Sequence, residues 1–281
     1  MEFEFFKLRV CGSDLILVSF LRLPTPEPSL LPALSRRLCN RLRGVGGSGV
    51  VYILQRQDNR FLVRYFLPTG KESGVSPDAL VCAAQYLFDS GNSEPTVIRL
   101  TESGIRRDIK VLDSTHFTVR LDNPALPDGT VLREQQDADH AEYISAQGKT
   151  LVTYPIFILR PLSVFFLDEE SSGDWKQLSK TVWEHSGCAL QPVGTRVYTP
   201  EDLRIRVIFP GSEKDYITCA GAAAVVSILN GFCDRQVFVR VGRCDLHVSW
   251  DEPSNDLFVT AAAAYSFSGF FYYDVPPSGS R

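Results

Sequence analysis

The sequence predicts an α+β protein of two similar halves, each strand-rich and wrapped around one buried helix. Three observations lead there. A strand, a polar turn, a small polar or sulfur residue and an apolar helix follow one another at 65–82 and again at 207–222. Segments rich in Val, Ile and aromatics recur along the whole chain. Two of the four helical segments are apolar almost all round, as in helices buried on every side. Each copy of the repeated pattern aims the positive end of a helix at one heteroatom, Ser76 in the first and Cys219 in the second. Such an end binds anions and favours a thiolate. Two such ends facing each other would make a site for a carboxylate substrate, with one acid/base group on each side.

The elements follow in order. The first helix is expected at 29–43, with leucines 30, 31, 34, 38 and 42 on one face, Ser29 as cap and arginines before Gly44. Strands are expected at 49–55 and 60–66. Residues 61–66 are apolar at nearly every position, which suggests a sheet covered on both faces. The second helix is expected from Pro77 to about Ser90, with Ser76 as N-cap, Pro77 at the first helical position and Asp78 at the positive end. Strands at 96–100, 109–112, 117–121, 151–159 and 164–167 come next. A third helix at 175–185, a strand at 203–209, a fourth helix from Ala220 to Asn230-Gly231, and strands at 236–241 and 246–250 complete the reading.

Composition excludes several classes. The chain has 281 residues and a formal charge of −4, enough for one large or two ordinary domains and weakly against nucleic acid or an anionic membrane as partner. The first residues lack the basic start and cleavage site of a signal peptide, and the longest apolar run, near 217–229, is too short to cross a bilayer. A soluble cytoplasmic protein is the expectation. Seven cysteines without a CxxC pair indicate neither a disulfide framework nor a zinc site. The four histidines have no mutual spacing of a ligand set. Gly44-Val45-Gly46-Gly47-Ser48-Gly49 looks like a phosphate loop but precedes a strand, so a nucleotide reading fails on context.

Taken together, these residues resemble the diaminopimelate epimerase family, within a superfamily that includes proline racemases and phenazine-biosynthesis isomerases. Residues 6–15, FKLRVCGSDL, resemble the family's F-x-K-M-x-G-x-G-N-D-F opening. Residues 39–49 resemble its C-D-R-x-x-G-I-G-A-D-G, and 65–82 its strand and C-G-N-G-A-R-C segment. Residues 191–197 resemble F-P-x-G-T-N-V, and 218–224 resemble A-C-G-T-G-A-C. Residues 241–250 resemble G-G-x-L-x-I-x-W, and 259–269 the ending that follows. The resemblance implies two pseudo-symmetric halves, each a curved, mostly antiparallel sheet around its central helix, with an active-site cleft between them. The first half is placed at 1–115, with 266–281 returning to it, and the second at 116–265. The resemblance further implies an isomerase of the lysine-biosynthetic type that inverts an amino-acid α-carbon without cofactor or metal. One sulfur removes the proton and a second, on the opposite face, returns one, while backbone N–H groups at the helix ends hold the carboxylate. The implied partner is a small amino acid or related carboxylate, not nucleic acid or membrane, and a homodimer is compatible with it.

The departures fall on the functional positions. The first catalytic cysteine aligns with Ser76, and the G-N-G after it becomes Pro77-Asp78-Ala79. Pro77 removes an N–H from the anion-binding turn. A serine hydroxyl is too weak an acid to serve as a resting base unless another group activates it. The second cysteine is kept as Cys219, followed by Ala220-Gly221-Ala222 in place of G-T-G. The family's substrate-contacting asparagines align with Ser13, Leu67, Tyr154 and Arg196, and its E-R pair with Pro210-Gly211. Asp14 is retained. The catalytic candidates are therefore Cys219, Ser76 and Asp78. The substrate-binding candidates are Ser13, Asp14, Arg196 and the backbone of Ala220, Gly221 and Ala222. Ser76 reads first as a helix cap and only then as a catalyst, and Asp78 first as a charge that offsets the helix dipole. A chain that has lost one of two catalytic sulfurs is altered in activity, or is a silent relative that binds a ligand or a protein.

Overall fold

The computed structural model describes residues 1–24, 26–57, 60–92, 96–102, 104–133, 140–146, 148–168, 174–209 and 214–273. They form an α+β fold with four helices and mostly antiparallel strands. The chain divides into two units. One comprises Met1–Phe117, Ser212–Lys214 and Ala262–Arg281, and the other Thr118–Gly211 and Asp215–Ala261.

The first unit begins with β1 (Glu2–Val10), β2 (Ser13–Ser19), α1 (Leu30–Cys39), β3 (Gly49–Gln57), β4 (Arg60–Phe66) and the short β5 (Glu72–Ser73). Next come α2 (Pro77–Asp89), β6 (Val97–Glu102), β7 (Ile105–Val111) and the start of β8 (His116–Leu121). The last strand, β17 (Ala264–Tyr272), pairs antiparallel with β1. The pairs β2–β3 and β4–β6 are parallel. A parallel pair needs a crossover, and α1 and α2 supply the two.

The second unit repeats this plan. It holds β9 (Glu142–Ala146), β10 (Lys149–Ile158), β11 (Arg160–Phe166), α3 (Trp175–His185), β12 (Gln191–Thr199) and β13 (Asp202–Val207). There follow α4 (Tyr216–Leu229), β14 (Gln236–Val241), β15 (Cys244–Trp250) and β16 (Leu257–Ala262). Its parallel pairs are β11–β12 and β13–β14, with α3 and α4 in the crossovers. In each unit the second crossover helix is the buried one. Thirteen of the fourteen residues of α4 are buried, and α2 is buried along nearly all its length. This is what their lack of a polar face requires.

The other helices are amphipathic. Leu31, Leu34 and Leu38 of α1 pack with Phe3, Phe5, Ile16, Val18 and Phe20. Leu178 and Val182 of α3 pack with Ile144, Phe165 and Leu167.

Several expectations are corrected. α1 stops at Cys39 rather than at Arg43 because the Asn40 side-chain oxygen accepts the N–H groups of Leu42 and Arg43, at 2.9 and 2.8 Å, and turns the chain. Ser29 makes no side-chain capping bond. β4 is covered on both faces except at Arg64: Phe61, Val63 and Tyr65 are buried on one face, and on the other Phe66 is buried and Leu62 packs on the α1 core, whereas Arg64 is half-buried and pairs with Glu72 at 2.6 Å. α4 begins four residues before Ala220, because Asp215 rather than Cys219 caps it. Cys11 and Cys244 are each disulfide-bonded, although the number and spacing of the cysteines indicate no disulfide framework.

Candidate active site

In the first unit the turn after β4 closes through Leu67 N–H to the Lys71 carbonyl at 2.9 Å, and the chain then enters α2. Ser76 has extended backbone angles, and its Oγ accepts the Ala79 N–H at 3.3 Å. It is a working N-cap, and only 7% of its surface is exposed. Pro77 brings no N–H. Asp78 is wholly buried and accepts a hydrogen bond from Ser13 Oγ at 2.5 Å. Ser13 is itself 1% exposed. Two of the sequence candidates are thus brought together. Cys82 lies one turn further along α2. Burial pushes its thiol well above the ordinary range, the Asp78 charge adds to this, and Lys7 opposes it.

Asp14 is committed to a different set of partners. Its Oδ1 accepts from Ser48 Oγ at 2.5 Å and from Arg41 at 2.9 Å, and its Oδ2 from Lys7 Nζ at 3.0 Å. Lys7, 6% exposed, also donates to the Gly46 carbonyl. Burial pushes the Asp14 carboxyl upward. The Ser48 hydrogen bond, the Lys7 bond and charge, and the Arg41 bond outweigh burial and hold it below 3.8. The loop 44–49 therefore grips a carboxylate of the protein itself and leads directly into β3 at Gly49.

In the second unit Asp215, 4% exposed, caps α4, its Oδ1 accepting the Thr218 N–H at 3.0 Å. Cys219 is wholly buried and its N–H donates to the Asp215 carbonyl at 3.4 Å. The sulfur therefore sits at the fourth helical position, a turn inside the end, whereas Ser76 sits on the cap. Ala220, Gly221 and Ala222 are deeper still, past the four N–H groups that a helix end leaves open. A Cβ at Gly221 would come within 2.9 Å of Leu121 and 3.2 Å of Leu257, so this stretch of α4 is packed under β8 and β16.

Arg196 is not beside Cys219. A Cβ at Gly194 would meet Leu167 and Phe165, which pack with α3, and strand alternation puts Arg196 on that same face. There its guanidinium lies 4.9 Å from the Tyr198 ring, which Arg204 approaches from across the strand pair at 4.5 Å. Tyr154 stacks edge-on with Phe166 at 5.7 Å, and Phe166 with Phe232 at 5.0 Å, beyond the C-terminal end of α4. Cys219 lies near the other end. Leu67 is half-buried in the turn before α2. Pro210 and Gly211 lie outside the described residues. Among the described residues no group of three His, Cys, Asp or Glu could hold a metal ion, and no helix is long and apolar enough to cross a membrane.

Two functional features escaped the sequence reading. Lys7 is a cation at an inward position of β1, and its role is visible only with residues 14 and 46 beside it. Asp215 carries a local signal, an Asp three residues before a capped N–H, but the apolar run after it gives no periodic boundary.

Comparisons with known proteins agree with this layout. No family model matches the chain. It is 28% identical to the diaminopimelate epimerase of Moorella thermoacetica, over 96% of this chain and 100% of that one. It is 26% identical to that of Desulforapulum autotrophicum, over 96% and 99%. Among solved structures it overlays on a phenazine-biosynthesis PhzF-family protein of Enterococcus faecalis with a TM-score of 0.65 at 14% identity, covering 97% of this chain and 100% of that one. A hydroxyproline epimerase of Agrobacterium vitis gives 0.64 at 11% identity, with 98% and 94% covered. The chain is therefore similar to diaminopimelate epimerases along nearly its whole length, on the fold shared by phenazine-biosynthesis and proline-epimerase proteins.

Proposed function

We propose that this protein is a diaminopimelate epimerase-like isomerase that moves a proton at the α-carbon of an amino acid or related carboxylate without a cofactor, with Cys219 as its acid/base group. The observation that carries this reading is similarity to diaminopimelate epimerases over 96% of the chain, together with retention of Cys219 in the first turns of the buried α4. In such a reaction the thiolate takes the α-proton, the electron pair stays on the α-carbon next to the carboxylate, and the thiol returns a proton. Inversion by two sulfurs needs a second thiol. Ser76 stands at that position and is engaged as a helix cap, which supports a single-base reaction of altered outcome. The same resemblance carries a small-molecule partner, a cytoplasmic location and a homodimer as parts of the proposal.

A second reading, a relative that binds without chemistry, has one observation in its favour. Cys219, Ser76 and Asp78 are all buried, and the last two are bonded within their own unit.

The test is deuterium uptake at the α-carbon, read by mass spectrometry, for diaminopimelate and a panel of amino and hydroxy acids in deuterated water. Uptake into one compound that Cys219→Ala abolishes is the expected result. Undiminished uptake in Cys219→Ala overturns the assignment of Cys219. No uptake across the panel from folded protein overturns the isomerase reading in favour of the second.

A further inference from the structure

The first turn of α2 is an unusual helix start for a chain read as binding carboxylates. Of its first three helical positions, Pro77 has no N–H and Ala79 gives its N–H to Ser76 Oγ. The position between them belongs to Asp78, which brings an acidic side chain into the turn. That carboxylate is wholly buried and held by the hydroxyl of Ser13, also buried, on β2. Its charge acts one turn further along, on Cys82.

We infer that Asp78 fills the anion position at the N-terminus of α2 with the protein's own carboxylate, so that this helix end is closed to substrate carboxylates, with Ser13 as the positioning residue that holds it. The physical reason is twofold. Two of the first three helical positions offer no donor to an external anion, because Pro77 lacks an N–H and the Ala79 N–H is used by Ser76 Oγ, and a second negative charge beside a buried carboxylate is strongly disfavoured. The inference deepens the proposed isomerase reading, on which its meaning for specificity rests. The substrate carboxylate must be met by groups other than the α2 turn. Asp78 and Ser13 thereby become specificity-determining rather than catalytic.

The test uses the full chain with 15N-labelled backbone, and sodium acetate as the probe against a sodium chloride control. In the unaltered protein the amide resonances of Asp78, Ala79 and Leu80 should move no more with acetate than with chloride. In Asp78→Asn, which keeps the shape and removes the charge, the same resonances should move saturably, with acetate bound about tenfold or more tightly. In Ser13→Ala, which keeps the carboxyl group but removes its partner, they should respond measurably but more weakly than in Asp78→Asn. A specific acetate response in the unaltered protein overturns the inference, as does a response in Ser13→Ala equal to that of Asp78→Asn. A folded Asp78→Asn that gains no response overturns it too; should that variant fail to fold, the other two arms still decide. Deuterium uptake measured on the same samples judges the isomerase reading separately. A protein that exchanges α-protons but whose α2 amides respond to acetate keeps that reading and loses this inference.

Discussion

Lys7 is a cation at an inward-facing position of a strand, where an apolar side chain is the rule. It is tolerated because the Asp14 carboxylate and the Gly46 carbonyl accept its protons. Removing one partner of a buried pair leaves the other charge uncompensated, which costs about 3–5 kcal/mol when the pair is isolated. Here Asp14 keeps Arg41 and Ser48 and retains 27% side-chain exposure, so Lys7→Met should cost about 2–3 kcal/mol, less than that full figure. The pH dependence has a definite sign. The Asp14 carboxyl is held below its ordinary 3.8 in the folded chain, so its contribution is complete above that value and fades as pH falls through the lower folded value. Urea unfolding across pH 2–5 should therefore show a shallower acid loss in Lys7→Met than in the unaltered chain. Equal slopes would remove Lys7 as the source of that stability. The catalytic candidates differ in how far sequence alone revealed them. Ser76-Pro77-Asp78 announces a helix start, because the cap, the fixed φ and the acidic charge are all local. The Ser13–Asp78 bond joins residues 65 apart, and no local pattern encodes it.

At the level of the elements, α3 is legible at both ends and α4 in its existence, burial and C-terminal end but not in its start, for a physical reason. The polar face of α3 gives it a period and therefore ends, and its bounds at Trp175 and His185 follow from that period. α4 is apolar from Tyr216 onward, and a helix buried on every side has no periodic boundary. Its start was read four residues late, at the small residues, and Cys219 was placed at the tip instead of a turn inside. The strand β4 lacks a period for a related reason. Residues 61–66 are apolar on both faces because Leu62 and Phe66 pack on the α1 core opposite Phe61, Val63 and Tyr65, and Arg64 alone interrupts the run. Close approach between elements is the other long-range feature. Gly49 opens β3 where an added Cβ would lie 2.4 Å from the ring of Tyr65, a side chain only 1% exposed on the neighbouring strand. A buried ring cannot step aside as a flexible, exposed side chain would. Gly49→Ala should therefore destabilise by about 2–3 kcal/mol through overpacking, against the few tenths usual for a strand glycine on an open surface. Chemical denaturation reads this directly; a change under about 0.5 kcal/mol would mean that Tyr65 has room the structure does not show.

For the molecule as a whole, the duplicated strand–turn–helix pattern foretold two units of one plan, and the parallel pairs β2–β3 with β4–β6 and β11–β12 with β13–β14 carry it in the same order. The cysteines show where composition stopped being informative: their number and spacing gave no hint that Cys11 and Cys244 are disulfide-bonded. The remaining five are not disulfide-bonded, and of these Cys188 alone is exposed. Burial separates their reactivity. It pushes the Cys39 thiol up to about 12 and the Cys233 thiol up to about 11, and raises Cys82 well above its ordinary range. Because the thiolate is the reactive form, a thiol near 12 is ionised at pH 8 only to about one part in ten thousand. Ellman's reagent at that pH should thus label one thiol of the folded chain promptly, with mass spectrometry placing the label on Cys188. Cys39, Cys82, Cys219 and Cys233 should react only at the rate at which the chain opens. In denaturant without reductant the count should reach five, and after reduction seven. Prompt native labelling of Cys39 or Cys82 would mean that the packing around α1 and α2 is looser than described. A count of seven before reduction would mean that Cys11 and Cys244 are thiols in solution.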